Sequence, residues 1–157
     1  MIDLAQLLHL ARSAGLTIAC AESCTGGMVA ASLTEVAGAS DVFDRGFVTY
    51  SNQAKIEMLG VLPQTLQDFG AVSEQVAAEM ADGARARAQV GLAVSITGIA
   101  GPGGSAFKPE GRVCFGLAHR GFATQLQTVE FGALGRDRVR LAARDHALAL
   151  LQAALLA

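Results

Sequence analysis

The sequence contains few aromatic and few charged residues. It has no tryptophan and one tyrosine, and aromatic residues make up 5 % of the chain. Proteins that bind single-stranded nucleic acid stack bases on aromatic side chains, so this composition argues against that function. Charged residues account for 17 % of the chain, with 12 basic against 14 acidic residues. The net charge of −2 gives no general attraction to nucleic acid or to anionic membranes, and we expect neither as a partner.

Cysteine is also scarce. The three cysteines are odd in number and form no CxxC pair: Cys20, Cys24 and Cys114. A disulfide framework or a zinc site is therefore unexpected. We predict a cytoplasmic protein with reduced thiols, no metal and no cofactor.

Long hydrophobic runs are missing as well. The longest uncharged stretch, residues 88–107, is interrupted by Gly91, Gly98 and the GPGG run at 101–104. It cannot form the continuous apolar helix of ~20 residues that crosses a membrane. The first residues carry Asp3 and Arg12 and lack the basic-then-apolar order of a secretory signal. We therefore expect no membrane segment.

The chain is rich in aliphatic residues. Hydrophobic residues form 52 % of its 157 positions, which excludes intrinsic disorder. This length is enough to bury a full core without a metal or a disulfide. We predict a single domain over residues 1–157.

Hydrophobic periodicity predicts alternating helices and strands. Helices are expected at Asp3–Ala14, 28–36, Asn52–Leu59, 63–70, Glu74–Ala88 and Arg136–Leu156. Strands are expected at Thr17–Ala21, Arg45–Ser51, Leu92–Ile96, Arg112–Ala118 and Phe122–Phe131. The inward face of the last helix should hold Val139, Leu141, Ala142, Leu148, Leu150 and Leu151. This order predicts a three-layer α/β/α sandwich whose mixed, mostly parallel sheet ends in an antiparallel hairpin.

Polar and glycine-rich segments follow three of the predicted strands, at residues 22–27, 50–55 and 97–108. In open α/β sheets, ligands bind at the carboxyl ends of the strands. The sequence therefore predicts a site where these segments meet.

The first segment, AESCTGG at 21–27, places Ser23 at a strand-to-helix turn. There its hydroxyl can lie beside main-chain N–H groups that favour an anion or a developing oxyanion. The alternative is structural: Ser23 or Thr25 caps the helix, and Gly26 and Gly27 allow close packing. Cys24 is a rival nucleophile, but no histidine lies near it in the sequence to activate it.

The second segment contains Tyr50 and Lys55, the latter one of only two lysines. A lysine that is desolvated in a crevice has a lowered pKa and can act as a general base toward a serine. The alternative is a solvated surface lysine beside a half-buried tyrosine.

The third segment is a glycine-rich loop from Thr97 to Gly111, which can bring main-chain N–H groups close to a phosphate or a sugar. It matches neither the Walker A nor the GxGxxG pattern, and a plain mobile loop is the alternative. The last helix begins with three arginines that suit either phosphate binding or an ordinary solvated face: Arg136, Arg138 and Arg140.

Together, AESCTGG, GFVTYSNQAK and TGIAGPGG resemble, in order and spacing, the CinA C-terminal domain family, from about residue 5 to the end. Members of that family are nicotinamide-nucleotide amidases. The resemblance implies a three-layer α/β/α fold, a homodimer, and hydrolysis of the carboxamide of nicotinamide mononucleotide to nicotinate mononucleotide and ammonia. It suggests pyridine nucleotide salvage without a metal or a cofactor.

The resemblance also assigns residues. It implies a Ser-Lys pair of Ser23 and Lys55, assisted by Tyr50. Substrate binding is expected at Thr25, Gly26, Gly27, Thr97, Gly101, Gly103, Gly104 and Arg136. The family's usual GDR pattern before the last helix becomes LGR here, with Gly135 in place of the aspartate, so Arg138 remains a competing phosphate ligand. A non-catalytic nucleotide-binding module on the same fold is the alternative function.

Overall fold

The computed structural model describes residues 1–105 and 107–157, which contain six α-helices and five strands. The helices are α1 (Leu4–Ser13), α2 (Met28–Thr34), α3 (Asn52–Leu59), α4 (Pro63–Phe69), α5 (Glu74–Ala88) and α6 (Arg136–Leu156). The strands are β1 (Ile18–Glu22), β2 (Phe43–Val48), β3 (Leu92–Gly98), β4 (Arg112–His119) and β5 (Gln125–Glu130). A short 3₁₀ turn, Ala39–Asp41, precedes β2.

The five strands form one mixed sheet in the order β2-β1-β3-β4-β5. Strand β1 pairs in parallel with both β2 and β3, whereas β4 runs antiparallel to β3 and to β5. The prediction of a mostly parallel sheet that ends in an antiparallel hairpin is confirmed. Because β1, β2 and β3 run in one direction, their carboxyl ends lie at the same edge of the sheet.

Helices cover both faces of the sheet, which confirms the three-layer α/β/α sandwich. Alternate residues of β1 point to opposite faces, so Ile18 and Cys20 join one core and Ala19 and Ala21 join the other. The first core packs against α1, α2 and α6, and the second against α3 and α5. All five residues of β1 are buried, as expected for a strand covered on both faces.

Side-chain caps start three of the helices. Asp3 accepts from the N–H of Gln6 at the start of α1, Ser51 from that of Ala54, and Ser73 from that of Val76. Each cap satisfies an N–H group that has no partner inside its helix. The predicted cap at Ser73 is confirmed.

Several predicted boundaries were wrong. Strand β2 ends at Val48 rather than Ser51, so Tyr50 follows the strand instead of belonging to it, and β5 begins at Gln125 rather than Phe122. Strand β3 continues to Gly98, so Thr97 belongs to a strand and the glycine-rich loop spans residues 99–111. The predicted loop includes Ala106, which lies outside the described residues. Leu141, expected to point inward, is exposed.

Among the helices in the described residues, none combines the length and the apolar character needed to cross a membrane.

Candidate active site

A cavity of about 390 Å³ lies at the edge of the sheet where β1 and β3 end. Its walls come from all three of the segments that the sequence singled out, joined by part of the α4–α5 connection. The lining residues are Ser23, Cys24, Tyr50, Lys55, Ala71, Val72, Arg136 and residues 97–105. The convergence predicted from the polar strand ends is therefore present as one concave site.

Ser23 is held at the floor of this cavity by the sheet itself. It follows β1 directly, and its N–H donates to the carbonyl of Ile96 in β3, at 2.9 Å. The side chain of the preceding residue, Glu22, accepts from the N–H groups of Val29 and Ala30 at the start of α2. The turn that carries Ser23 is thus fixed both by β3 and by α2.

Lys55 projects from α3 toward Ser23. Its side chain is only 1 % exposed, and Nζ donates to Ser23 Oγ at 3.0 Å. Nζ also lies 2.8 Å from the carbonyl oxygen of Thr49 and 3.4 Å from that of Tyr50. The ion pairs formed among the described residues do not include Lys55. The sequence-based alternative of a solvated lysine is wrong.

Burial without a compensating anion favours the neutral form of an amine. Desolvation lowers the pKa of Lys55 from its ordinary value of 10.5 to about 8. An appreciable fraction of Lys55 is therefore a neutral amine near pH 7, and that fraction can accept a proton from Ser23.

Cys24 also lines the cavity but is poorly suited to nucleophilic chemistry. Its side chain is buried, and desolvation raises the pKa of the thiol to about 11. Because the thiolate is the reactive form of cysteine, this thiol is unreactive near neutral pH. The geometry thus favours Ser23 over the rival nucleophile.

Arg136 and Tyr50 meet at the mouth of the cavity. The guanidinium of Arg136 donates to the Tyr50 hydroxyl at 2.8 Å and to the carbonyl of Gly101 at 2.7 Å. Both Tyr50 and Arg136 line the cavity, whereas Arg138 is exposed outside it. Of the two competing arginines, the structure brings Arg136 to the site.

The glycine-rich loop folds over one wall. Gly101 has a φ of +90°, and a Cβ there would collide with the side chain of Glu110, so the loop conformation requires glycine. Glu110 in turn accepts from the N–H of Gly103 at 2.6 Å. Thr97 is buried in β3, and its hydroxyl donates to the carbonyl of Ala71 at 2.8 Å.

The other predicted binding residues lie beside the cavity rather than on its wall. Thr25, Gly26 and Gly27 are outside the lining set. The N–H of Gly26 donates to the carbonyl of Ser23 and so is occupied within the turn. The hydroxyl of Thr25 is buried and, within the described residues, has no hydrogen-bond partner. Gly26 and Gly27 have φ values of +57° and +105°, which suit glycine.

Sequence reasoning missed three contacts that shape the site. Arg140 Nε donates to the carbonyl of Cys24 at 3.0 Å, Glu22 binds the start of α2, and Lys108 binds two carbonyls beside the cavity. For two of them the sequence holds a signal in residue type: Glu22 is a charged residue directly after the predicted strand Thr17–Ala21, and Lys108 is one of only two lysines. In the described residues, no group of three or more His, Cys, Asp or Glu side chains is placed to hold a metal.

Curated relatives match most of the chain. A nicotinamide-nucleotide amidohydrolase PncC from Enterobacter agglomerans is 51 % identical over 138 residues, covering 87 % of this chain and 84 % of that protein. A CinA-like protein from Chlorobium phaeobacteroides is 54 % identical over 129 residues, covering 80 % of this chain but 30 % of its own length. Against such CinA-like relatives, this chain spans about a third of their length.

Solved structures with the same fold are similar over nearly the whole chain. The crystal structure of competence/damage inducible protein CihA from Agrobacterium tumefaciens has a TM-score of 0.93 at 47 % identity, and covers 98 % of this chain and 93 % of that one. A competence or damage-inducible protein from Enterobacter asburiae has a TM-score of 0.91 at 37 % identity, with 99 % of each chain covered. The model of the CinA C-terminal domain matches residues 3–155. The chain therefore belongs to the CinA C-terminal domain family.

Proposed function

We propose that this protein hydrolyses the carboxamide of nicotinamide mononucleotide through a Ser-Lys pair, releasing nicotinate mononucleotide and ammonia for pyridine nucleotide salvage. The observation that carries the proposal is the contact between Lys55 Nζ and Ser23 Oγ, in which Lys55 is buried and has no ion-pair partner among the residues that the structure describes. The PncC name of a relative that is 51 % identical supports the choice of substrate.

The hydrogen bonds around Lys55 favour transfer of the serine proton. The carbonyls of Thr49 and Tyr50 can only accept, so they take the two hydrogens of a neutral amine. The lone pair of Nζ is then left for Ser23, the one partner of the three that has a proton to give. This arrangement orients the base toward the nucleophile before substrate binds.

In the acylation step, Ser23 Oγ attacks the carboxamide carbon and its proton passes to Lys55 Nζ. The C–N bond then breaks, and the leaving nitrogen takes the proton that Lys55 received, either directly or relayed through the Tyr50 hydroxyl held by Arg136, and departs as ammonia. Lys55 is neutral again after this step. Water attacks the resulting ester while Lys55 accepts its proton. Cleavage of the ester returns a proton to Ser23 and releases the carboxylate product.

The developing oxyanion needs main-chain donors near Ser23. We place it beside N–H groups of the Cys24–Gly27 segment, of which Gly26 is already occupied by the carbonyl of Ser23. One such donor contributes on the order of 3 kcal/mol of transition-state stabilisation in other enzymes.

The rest of the cavity suits a mononucleotide. We assign Arg136 to the phosphate, because it is the arginine that lines the cavity and its present partners, Tyr50 and Gly101, are uncharged. The loop residues Gly103 and Gly104 are assigned to the ribose and phosphate, where the absence of a Cβ lets the main chain approach closely.

The test is ammonia release from nicotinamide mononucleotide by the purified protein, with Ser23→Ala as the matched control. We expect turnover by the wild type, a loss of about 10³-fold or more in the variant, and retained substrate binding. Binding without turnover by the wild type would instead support the non-catalytic nucleotide-binding module. A variant that keeps more than about a tenth of kcat would refute Ser23 as the nucleophile.

The broader expectations belong to the same proposal. We propose that residues 1–157 fold as a single domain and that the protein works as a cytoplasmic homodimer. Light scattering on the purified protein tests the dimer, and a monomer mass at working concentration would refute it.

A further inference from the structure

Lys108 lies at the far end of the glycine-rich loop and contacts a distant part of the chain. Its Nζ donates to the carbonyl of Phe69 at 2.6 Å and to that of Val72 at 2.5 Å. These carbonyls belong to the last residue of α4 and to the connection between α4 and α5, more than thirty positions away in the sequence. A half-buried ammonium therefore joins two segments that no strand pairing connects.

The backbone of residues 69–72 leaves room for the Lys108 ammonium. Gly70 adopts a φ of +77°, and a Cβ there would lie 3.0 Å from Lys108 Nζ. The remaining carbonyls of the segment are occupied as well, that of Gly70 by the Ser73 hydroxyl and that of Ala71 by the Thr97 hydroxyl. Hydrogen bonds from a charged donor are stronger than those between neutral groups.

The two segments that Lys108 joins both contribute to the cavity wall. Ala71 and Val72 line it from the α4–α5 connection, and residues 98–105 line it from β3 and the glycine-rich loop. Lys108 itself does not line the cavity.

We propose that Lys108 is a positioning residue that fixes the width of the substrate cavity by fastening the glycine-rich loop to the 69–72 segment. It touches no reacting atom, so it acts on substrate binding rather than on the chemical step. This role rests on the proposed function only for the identity of the substrate.

The primary test is Lys108→Ala, which removes the ammonium and three methylenes. We expect KM for nicotinamide mononucleotide to rise by about tenfold or more, with kcat within about threefold of wild type, because two charge-assisted hydrogen bonds to the wall are lost. Propylammonium ion replaces the missing atoms and should restore KM, whereas propanol, which lacks the charge, should not. Arg120→Ala is the matched control, since it removes one exposed positive charge elsewhere.

Limited proteolysis gives a second readout that needs no substrate. Phe107 is 94 % exposed and directly precedes Lys108, so chymotrypsin cleavage there reports how firmly the loop is held. We expect cleavage of Lys108→Ala to be about tenfold faster than that of wild type and of Arg120→Ala, and to slow again with propylammonium. If Lys108→Ala fails to fold, Lys108→Met takes its place in the proteolysis assay, because methionine keeps the aliphatic part of the side chain and lacks the ammonium.

The two assays separate the two proposals. Absence of ammonia release by the wild type would refute the amidase function while leaving the proteolysis comparison decisive for Lys108. Cleavage at Phe107 that is unchanged by the loss of the ammonium would overturn the positioning role. A fall in kcat with KM unchanged would also overturn the positioning role, because Lys108 would then act on the chemical step rather than on substrate binding.

Discussion

Burial of the Lys55 ammonium destabilises the folded state, and this should make the free energy of unfolding depend on pH. The pKa of Lys55 falls from 10.5 to about 8 on folding, because its ammonium is desolvated with no anion beside it. Between these two values the unfolded chain binds more protons than the folded one. Stability therefore rises with pH through this window, and the penalty is fully present below about pH 8.

The variant Lys55→Met isolates this effect, because it keeps the side-chain length and removes the titrating group. Loss of the hydrogen bonds to the carbonyls of Thr49 and Tyr50 lowers the stability of the variant by a similar amount at every pH. The free energy of unfolding of wild type, relative to that of the variant, should therefore rise by about 2 kcal/mol between about pH 7 and about pH 9.5. The complete change, from well below pH 8 to well above pH 10.5, is about 3 kcal/mol.

Urea unfolding of both proteins, followed by circular dichroism across that pH range, measures the difference directly. Other titrating groups occur in both proteins and cancel to first order in the comparison. A difference that stays flat with pH would mean that Lys55 keeps an ordinary pKa, and it would remove the physical basis for its role as a neutral base.

The remaining predictions concern catalysis. The rate of amide hydrolysis should rise with pH along a single limb near pH 8, because burial lowers the pKa of Lys55 to about 8 and its neutral form is the base. Lys55→Arg should lose about 10³-fold or more in kcat, since guanidinium stays protonated; retained kcat with an altered KM would instead indicate a phosphate clamp. Arg136→Ala should raise KM for nicotinamide mononucleotide by about tenfold or more but barely change KM for the corresponding nucleoside, which lacks the phosphate. Equal increases in KM for both substrates would contradict the assignment of Arg136 to the phosphate. EDTA should leave the rate unchanged, because the described residues hold no three-ligand cluster; restoration by added zinc or magnesium after chelation would count against the mechanism.

The fold was largely predictable because its signals are local. The buried strand β1 is a continuous apolar run up to its last residue, Glu22, and caps such as Ser73 precede helices of clear periodicity. Errors arose where tertiary packing decides. Leu141 has helical spacing that suits the core, but the rotation of α6 on the sheet leaves it exposed. The end of β2 depends on its pairing with β1, which stops at Val48.

Part of the cavity lining was predictable from residue type and position, but Ala71 and Val72 were not expected there and the contacts within the cavity could not be predicted. A serine after β1 and a lysine after β2 converge because parallel strands end at one edge of the sheet. The loss of solvent around Lys55 depends on the whole cavity wall, so its pKa could not be derived from the sequence. Contacts of long side chains across the fold, such as that of Arg140 with Cys24, leave no periodic signal.

Main-chain carbonyls are the acceptors for most of the donor side chains around the cavity. The donor and acceptor residues pair as Lys55 with Thr49, Thr97 with Ala71, Lys108 with Phe69 and Val72, Arg136 with Gly101, and Arg140 with Cys24. Every residue type supplies a carbonyl, so substitution of an acceptor residue preserves its bond as long as the backbone path is kept. Saturation mutagenesis should therefore be asymmetric, with intolerant donors facing exposed acceptor positions such as Phe69 that accept many side chains. Gly101 is an exception, because its φ of +90° requires glycine. At acceptor positions that are neither buried nor held at a positive φ, the sequence requirement thus falls on the donor residue alone.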